Sequence, residues 1–327
     1  MGRDRTAPGR LSAVDIRLAL VNLYLRLAVK PVLRRLADPG RMRTMLERDA
    51  ARRFVVPEDA HFVEDLMRRD GPPRQAGMIP AIWASVGRPD RRKVILYLHG
   101  GAYLAGSPRT HRHLAAALAG EAGVRAVVPD YRLAPETPFP AAIDDALAAY
   151  CHLLTAGYEA TEIAVAGDSA GGGLSFALVL ALADRDLPLP ACVVGFSPWT
   201  DMTGTAESLR RNAARDVLLP ANRMDDVVAY YLGVQDRAHR LASPALASWP
   251  EPPPPTLIMA SRSEILRDDA VHMADTLRKA GGDVQLELWR GLPHAWPIFY
   301  GRIRQADMAI ETAGAFIGRH LGAEPEG

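Results

Sequence analysis

Along most of the chain, short apolar runs alternate with longer amphipathic stretches. IPAIWASV (residues 79–86) and KVILYLHG (93–100) read as successive strands. The second is apolar almost throughout, as in a strand buried on both faces. HRHLAAALAGEAG (111–123) has helical spacing, VRAVVPD (124–130) returns to strand, AAIDDALAAYCHLLTAG (141–157) is a helix and EIAVAG (162–167) a strand. An apolar helix over 170–186 and a strand over 191–198 follow. Later come a strand at 254–261, a helix over 268–282 with a glycine stop, a strand at 283–289 and a closing amphipathic helix over 305–321. Alternation of this kind predicts an α/β fold with a mostly parallel sheet covered by helices on both faces.

Two segments depart from the rhythm. Residues 11–38 are apolar at helical spacing with arginines and Lys30 between, and Pro31 is expected to kink or end the first helix. A basic helix lying on a membrane surface is one reading. A helix packed across the main domain with its arginines in water is the expected one, because amphipathic helices are ordinary on soluble proteins. Residues 39–75 read as helical and then loop-like, ending at DGPPRQ. The interval 201–244 holds a helix within LPANRMDDVVAYYLG but no strand candidate, so it reads as an insertion over the sheet.

Composition narrows the function classes. The 327 residues carry a formal charge of +1, which gives no global field for nucleic acid. Cys151 and Cys192 both sit in apolar contexts and lack zinc-type spacing. The basic start MGRDRTAPGR is not followed by a secretory apolar region, and no apolar run reaches the length of a membrane span. A cytoplasmic protein without stable membrane insertion is the expectation.

The chemistry gathers at IAVAGDSAGGGLSF. Gly167-Asp168-Ser169-Ala170-Gly171 fits G-x-S-x-G between a strand and a helix, the setting of a nucleophile elbow. Gly167 and Gly171 allow strand and helix to approach, and Ser169 stands at a helix N-terminus where negative charge is favoured. A serine nucleophile needs a base and an orienting acid, which in this architecture follow in the order Ser, acid, His. His294, on the loop RGLPHAW after the last strand, fits the base. The loop RSEILRDDAVHM offers Glu264, Asp268 and Asp269. Asp268 and Asp269 stand where the next helix begins and have a capping role available. Glu264 has none and is assigned as the acid, with Asp268 as the alternative. His99-Gly100-Gly101-Ala102 ends a buried strand, and its two glycines free backbone amides for a substrate oxygen, joined by the amide of Ala170.

Together, HGGAY (99–103), DYRLAPE (130–136) with FPAAIDD behind it, GDSAGG, SPWTD (197–201), SEILRDD and LPHAW resemble the bacterial hormone-sensitive-lipase-like family of α/β-hydrolases, in the family's order. The resemblance implies a single α/β-hydrolase domain with a catalytic core of about 76–200 and 245–327. A helical cap would be formed by about 1–70 and 201–244. It implies a carboxylic-ester hydrolase for short to medium acyl chains, with Ser169 as nucleophile, His294 as base, and Gly100, Gly101 and Ala170 as oxyanion donors. His99, Asp168, Gly167 and Gly171 would support them, and Arg132 and Asp201 would make buried polar contacts. No metal or organic cofactor is implied; the partner is a small ester, and a homodimer is common in such proteins. The chain departs from the family in having Ala102 where a third glycine is usual and Glu264 where aspartate is usual. A lactonase, amidase or deacetylase would use the same machinery. A non-catalytic binder of this fold typically lacks the histidine present here as His294.

Overall fold

The computed structural model describes residues 15–35, 38–69 and 76–322. Residues 11–14 and 36–37 of the first expected helical stretch, and the break at 70–75, lie outside the described residues. The chain opens with α1 (Ile16–Tyr24), a π-helical turn (Leu25–Val29), α2 (Lys30–Arg35) and α3 (Pro39–Arg53). It continues through β1 (Ala60–Arg69), β2 (Gly77–Val86), β3 (Asp90–Leu98), α4 (Pro108–Ala122), β4 (Val124–Pro129), α5 (Ala141–Thr155), β5 (Ile163–Asp168) and α6 (Ser169–Ala183). Then come β6 (Cys192–Phe196), α7 (Glu207–Arg211), α8 (Met224–Leu232), β7 (Thr256–Ser261), α9 (Arg267–Lys279), β8 (Val284–Trp289) and α10 (Arg304–Leu321).

The eight strands form one sheet in the order β1-β2-β4-β3-β5-β6-β7-β8. The β1–β2 and β2–β4 pairs are antiparallel; every pair from β4–β3 onward is parallel. Alternation along β3 divides the core. Val94, Leu96 and Leu98 join the apolar cluster beneath α5 and α6, whereas Ile95 and Tyr97 join the one beneath α4 and α10. Helix α6 is buried along nearly its whole length, since it lies over the sheet centre with α5 and α9 beside it. That explains why its sequence is apolar on every face.

Two expectations are corrected. Residues 60–69, read as loop and grouped with a cap, form the edge strand β1, paired with β2 from Ala60↔Val86 to Arg69↔Gly77. This strand pairs on one side only, with β2, so its side chains are mostly exposed and Glu64-Asp65 interrupt the alternation that would have revealed it. Pro31 does not end the first helix. The Lys30 amide donates back to the carbonyl of Leu25, and this wider turn just before Pro31 makes room for a ring that a regular helix would not accept. The interval 201–244 contains α7 and α8 and no strand, consistent with an insertion.

Side chains fasten the N-terminal helices to the insertion and to the loops that follow β3 and β4. Lys30 Nζ donates to the carbonyls of Ala213 (2.9 Å) and Asp216 (2.5 Å). Arg43 of α3 donates to the carbonyls of Leu104 (2.8 Å) and Ala134 (2.9 Å) and pairs with Glu136.

Candidate active site

Ser169 follows directly on β5 and begins α6 with φ +52°, a left-handed conformation that is uncommon for a non-glycine residue. Neighbouring backbone makes the turn possible. A Cβ on Gly171 would lie 2.0 Å from the carbonyl oxygen of Leu98, and one on Gly167 would lie 2.4 Å from that of Gly171. The glycines therefore permit β3, β5 and α6 to converge below the serine. The Trp199 amide donates to the Ser169 carbonyl at 2.9 Å and fixes the elbow against the loop after β6.

The loops after β7 and β8 bring Glu264 and His294 to it. Ser169 Oγ lies 2.8 Å from His294 Nε2, and His294 Nδ1 lies 2.5 Å from Glu264 Oε2. Glu264 Oε1 accepts the Ser261 amide at 2.6 Å, so both carboxylate oxygens are held. Both side chains are buried. Burial works against an imidazolium at His294. The hydrogen bond and charge of Glu264, followed by the charges of Asp216 and Asp168, outweigh it and raise the pKa above the ordinary 6.5. With Nδ1–H donated to Glu264, Nε2 is left free to accept the serine proton.

Asp268 and Asp269 are not part of this relay, nor do they cap α9. Asp268 Oδ2 accepts the Ser208 amide at 2.8 Å and Oδ1 pairs with Arg267. Asp269 Oδ2 accepts the amides of Thr200 (3.0 Å) and Asp201 (2.9 Å). Both tether neighbouring segments to the first turn of α9.

The loop after β3 corrects the expected oxyanion donors. The Gly100 amide donates to Asp168 Oδ1 at 3.0 Å, so it is occupied. The same oxygen accepts the Tyr97 hydroxyl at 2.8 Å and lies 3.4 Å from His111 Nε2. Burial disfavours the Asp168 carboxylate, but His111, these hydrogen bonds and His99 prevail and lower its pKa. Downstream, Gly101 (φ +126°) and Ala102 (φ +60°) turn the chain, and their amides, like that of Ala170, have no hydrogen-bond acceptor among the described residues. The alanine holds the left-handed geometry for which glycine is better suited. His99 faces away from the serine. Its Nδ1–H donates to the Gly100 carbonyl, its ring stacks on Tyr131 at 4.1 Å, and burial pushes its pKa down to about 3. Arg132 makes its expected polar contact, a two-pronged pair with Asp145.

Sequence reasoning passed over a second set of residues. Ser197 Oγ accepts the Ala295 amide at 3.0 Å and steadies the histidine loop. Asn212 Nδ2 donates to the carbonyls of Glu264 (2.9 Å) and Arg262 (3.0 Å), and Asp216 Oδ2 accepts the Ile265 amide at 2.9 Å. The insertion thus grips the acid loop from outside. Nothing local in RRNAARD announces this; a polar pair inside an otherwise unassigned segment was the available signal.

Ser169 and His294 open into an apolar cavity of ≈ 250 Å³. Its walls come from both segments outside the βα rhythm, with Leu33, Met42 and Phe54 on one side and Leu219, Met224 and Val227 on the other. Cys151 is partly exposed on α5 and Cys192 lies in the core on β6. Among the described residues, no helix is long and apolar enough to cross a membrane.

A serine on a left-handed elbow at the end of a central parallel strand, in hydrogen-bond sequence with a histidine and a glutamate from the next strand ends, defines an α/β-hydrolase site. Comparison with known proteins agrees. The family model described as alpha/beta hydrolase fold matches residues 95–298. An acetyl-hydrolase of Streptomyces hygroscopicus is 42% identical over 241 residues, 74% of this chain and 80% of that one. An ethyl acetate hydrolase of Pseudomonas putida is 35% identical over 233 residues, 69% of this chain and 73% of that one. The crystal structure of an esterase from the bacterial hormone-sensitive lipase family superposes with a TM-score of 0.86 at 36% identity, covering 95% of this chain and 100% of the other. The chain belongs to the hormone-sensitive-lipase-like family of α/β-hydrolases. It is an enzyme of the serine ester hydrolase class.

Proposed function

We propose that the enzyme cleaves carboxylic esters of short to medium acyl chain through Ser169, His294 and Glu264. The observation that carries this reading is the unbroken hydrogen-bond sequence from Ser169 Oγ through the His294 ring to Glu264, at the floor of an apolar cavity. Ser169 Oγ attacks the ester carbonyl carbon while its proton passes to His294 Nε2. Glu264 holds the ring and balances the imidazolium. The carbonyl oxygen takes up the charge and is received by the amides of Gly101, Ala102 and Ala170, each such donor being worth about 3 kcal/mol in the transition state. Collapse expels the alcohol, which takes the proton from His294. Water, deprotonated by the same histidine, then releases the acid and restores Ser169.

The helices before residue 54 and the 201–244 insertion act as the cap, since both supply cavity walls. A cavity of ≈ 250 Å³ favours a small acyl group, and the likeness to an acetyl-hydrolase of Streptomyces and an ethyl acetate hydrolase of Pseudomonas supports the same end of the range. The test is a p-nitrophenyl ester series from acetate to dodecanoate with the parent and Ser169→Ala. Activity is expected to peak at short to medium chains and to vanish in the variant. Turnover retained by Ser169→Ala would overturn the nucleophile, and a maximum at dodecanoate would overturn the chain-length assignment.

A further inference from the structure

We infer that α1 is a docking surface for an anionic lipid bilayer, on which the enzyme lies without crossing it. The helix is apolar on two opposite sides. Leu18 and Val21 pack against the core beneath α10, and Leu25 is buried. On the other side, Ile16, Leu20, Leu23 and Leu27 are 69%, 60%, 52% and 67% exposed. Their spacing of four, three and four residues puts them in one stripe along the helix. Scattered exposed leucines are unremarkable, but a continuous stripe on one helix marks an interaction surface.

The surrounding charge selects the partner. Arg17, Arg34 and Arg35 are exposed and make no ion pair with another described residue, and Arg26 is exposed beside them. The elements on which α1 rests add more. Arg26 donates to the carbonyl of the exposed Arg215, and Asn22 donates to Gly291 beside the exposed Arg290. Of the nearby acids, Asp15 caps α1 by accepting the Leu18 amide, Asp38 is paired with Arg41, Asp49 is paired with Arg53, and Asp216 is buried with its carboxylate committed to the amides of Leu218, Leu219 and Ile265. An apolar stripe bordered by arginines matches a surface of acyl chains beneath anionic headgroups. A second copy of the chain fits poorly, because a two-fold contact through the stripe would set the arginine borders against each other. Val29 and Leu33, on the continuation of this helix, line the cavity above Ser169, so docking brings the cavity wall to the lipid boundary.

The test is sedimentation of the full chain with vesicles of phosphatidylcholine alone or mixed equally with phosphatidylglycerol, at low and high salt. Binding to the mixed vesicles at low salt is expected, with loss in high salt and little binding to phosphatidylcholine alone. Leu20→Glu/Leu23→Glu is expected to weaken binding about tenfold or more, while hydrolysis of a soluble p-nitrophenyl ester stays at the parent rate and reports a folded enzyme. Arg34→Glu/Arg35→Glu, which leaves the stripe intact, is expected to weaken binding to the mixed vesicles in the same direction. A parent chain that stays in the supernatant with every vesicle overturns the inference, as does a leucine variant that binds like the parent. A parent that sediments as a dimer and is dissociated by the leucine substitutions also overturns it, since the stripe would then join two copies. The sedimentation readouts do not depend on the ester assignment, which enters only through the hydrolysis control for folding.

Discussion

The amide of Gly100 donates to the carboxylate of Asp168, the residue immediately before the serine, across 3.0 Å. One buried carboxylate thereby ties the loop after β3 to the nucleophile elbow, and Tyr97 and His111 keep that carboxylate in place. The loop's remaining amides inherit their position from this bond. Asp168→Ala should therefore lower kcat about 10²-fold with little change in KM, because oxyanion contacts strengthen in the transition state. Steady-state kinetics on a short-chain ester checks it; an effect confined to KM would contradict it.

Ala102 bears a backbone cost that glycine would not. At φ +60° an alanine is about 1 kcal/mol worse off than glycine, less the entropy glycine loses on folding. Ala102→Gly is expected to raise the melting temperature by about 1–2 °C and to preserve turnover, since the amide is retained. Calorimetry paired with an activity assay measures both.

The acid assignment separates two neighbouring carboxylates. Glu264→Gln removes the charge that balances the imidazolium and should cost about 10⁴-fold in kcat. Asp268→Asn disturbs its bonds to Ser208 and Arg267 and should cost about 1–2 kcal/mol of stability with activity largely kept. Kinetics together with urea unfolding distinguishes them, and the opposite pattern would exchange their roles.

The pH dependence follows from His294. Its neutral form is the base of the proposed mechanism, and its pKa is raised by Glu264, with Asp216 and Asp168 adding to the effect against the opposing cost of burial. Activity should fall as pH drops through a midpoint above 6.5. Asp216→Asn withdraws one of the supporting charges, so its midpoint should move down. A kcat/KM profile with an unmoved midpoint would refute the electrostatic account.

Legibility in the sequence tracked burial. The strands β3 to β7 and helix α6 were readable because they are covered by other elements and so are written as apolar runs, and the half-covered β8 because its apolar positions alternate. The serine, glutamate and histidine were readable because each sits on a short loop directly after one of those strands. Edge strand β1 was not, since water on its exposed side admits Glu64 and Asp65 into the pattern. The substitution of Ala102 for Gly100 among the free amides was also out of reach. A glycine advertises conformational freedom, but whether its N–H is available depends on where Asp168 points, and that is a tertiary fact. Asn212 and Asp216 belong to the same category. They act on a loop some fifty residues away, at separations of 52 and 49 positions.

Lys30 and Arg43 give the N-terminal helices a hold on both halves of the catalytic apparatus. Lys30 grips the stretch from Ala213 to Asp216 that in turn carries the acid loop, and Arg43 grips Leu104 just beyond the free amides. Anyone grafting these helices from a relative in order to change substrate range would be exchanging part of the frame along with the proposed cap. A chimera that keeps both basic residues and their carbonyl partners retains the frame, whereas one that matches only the apolar lining would inherit a new pocket over a loosened engine.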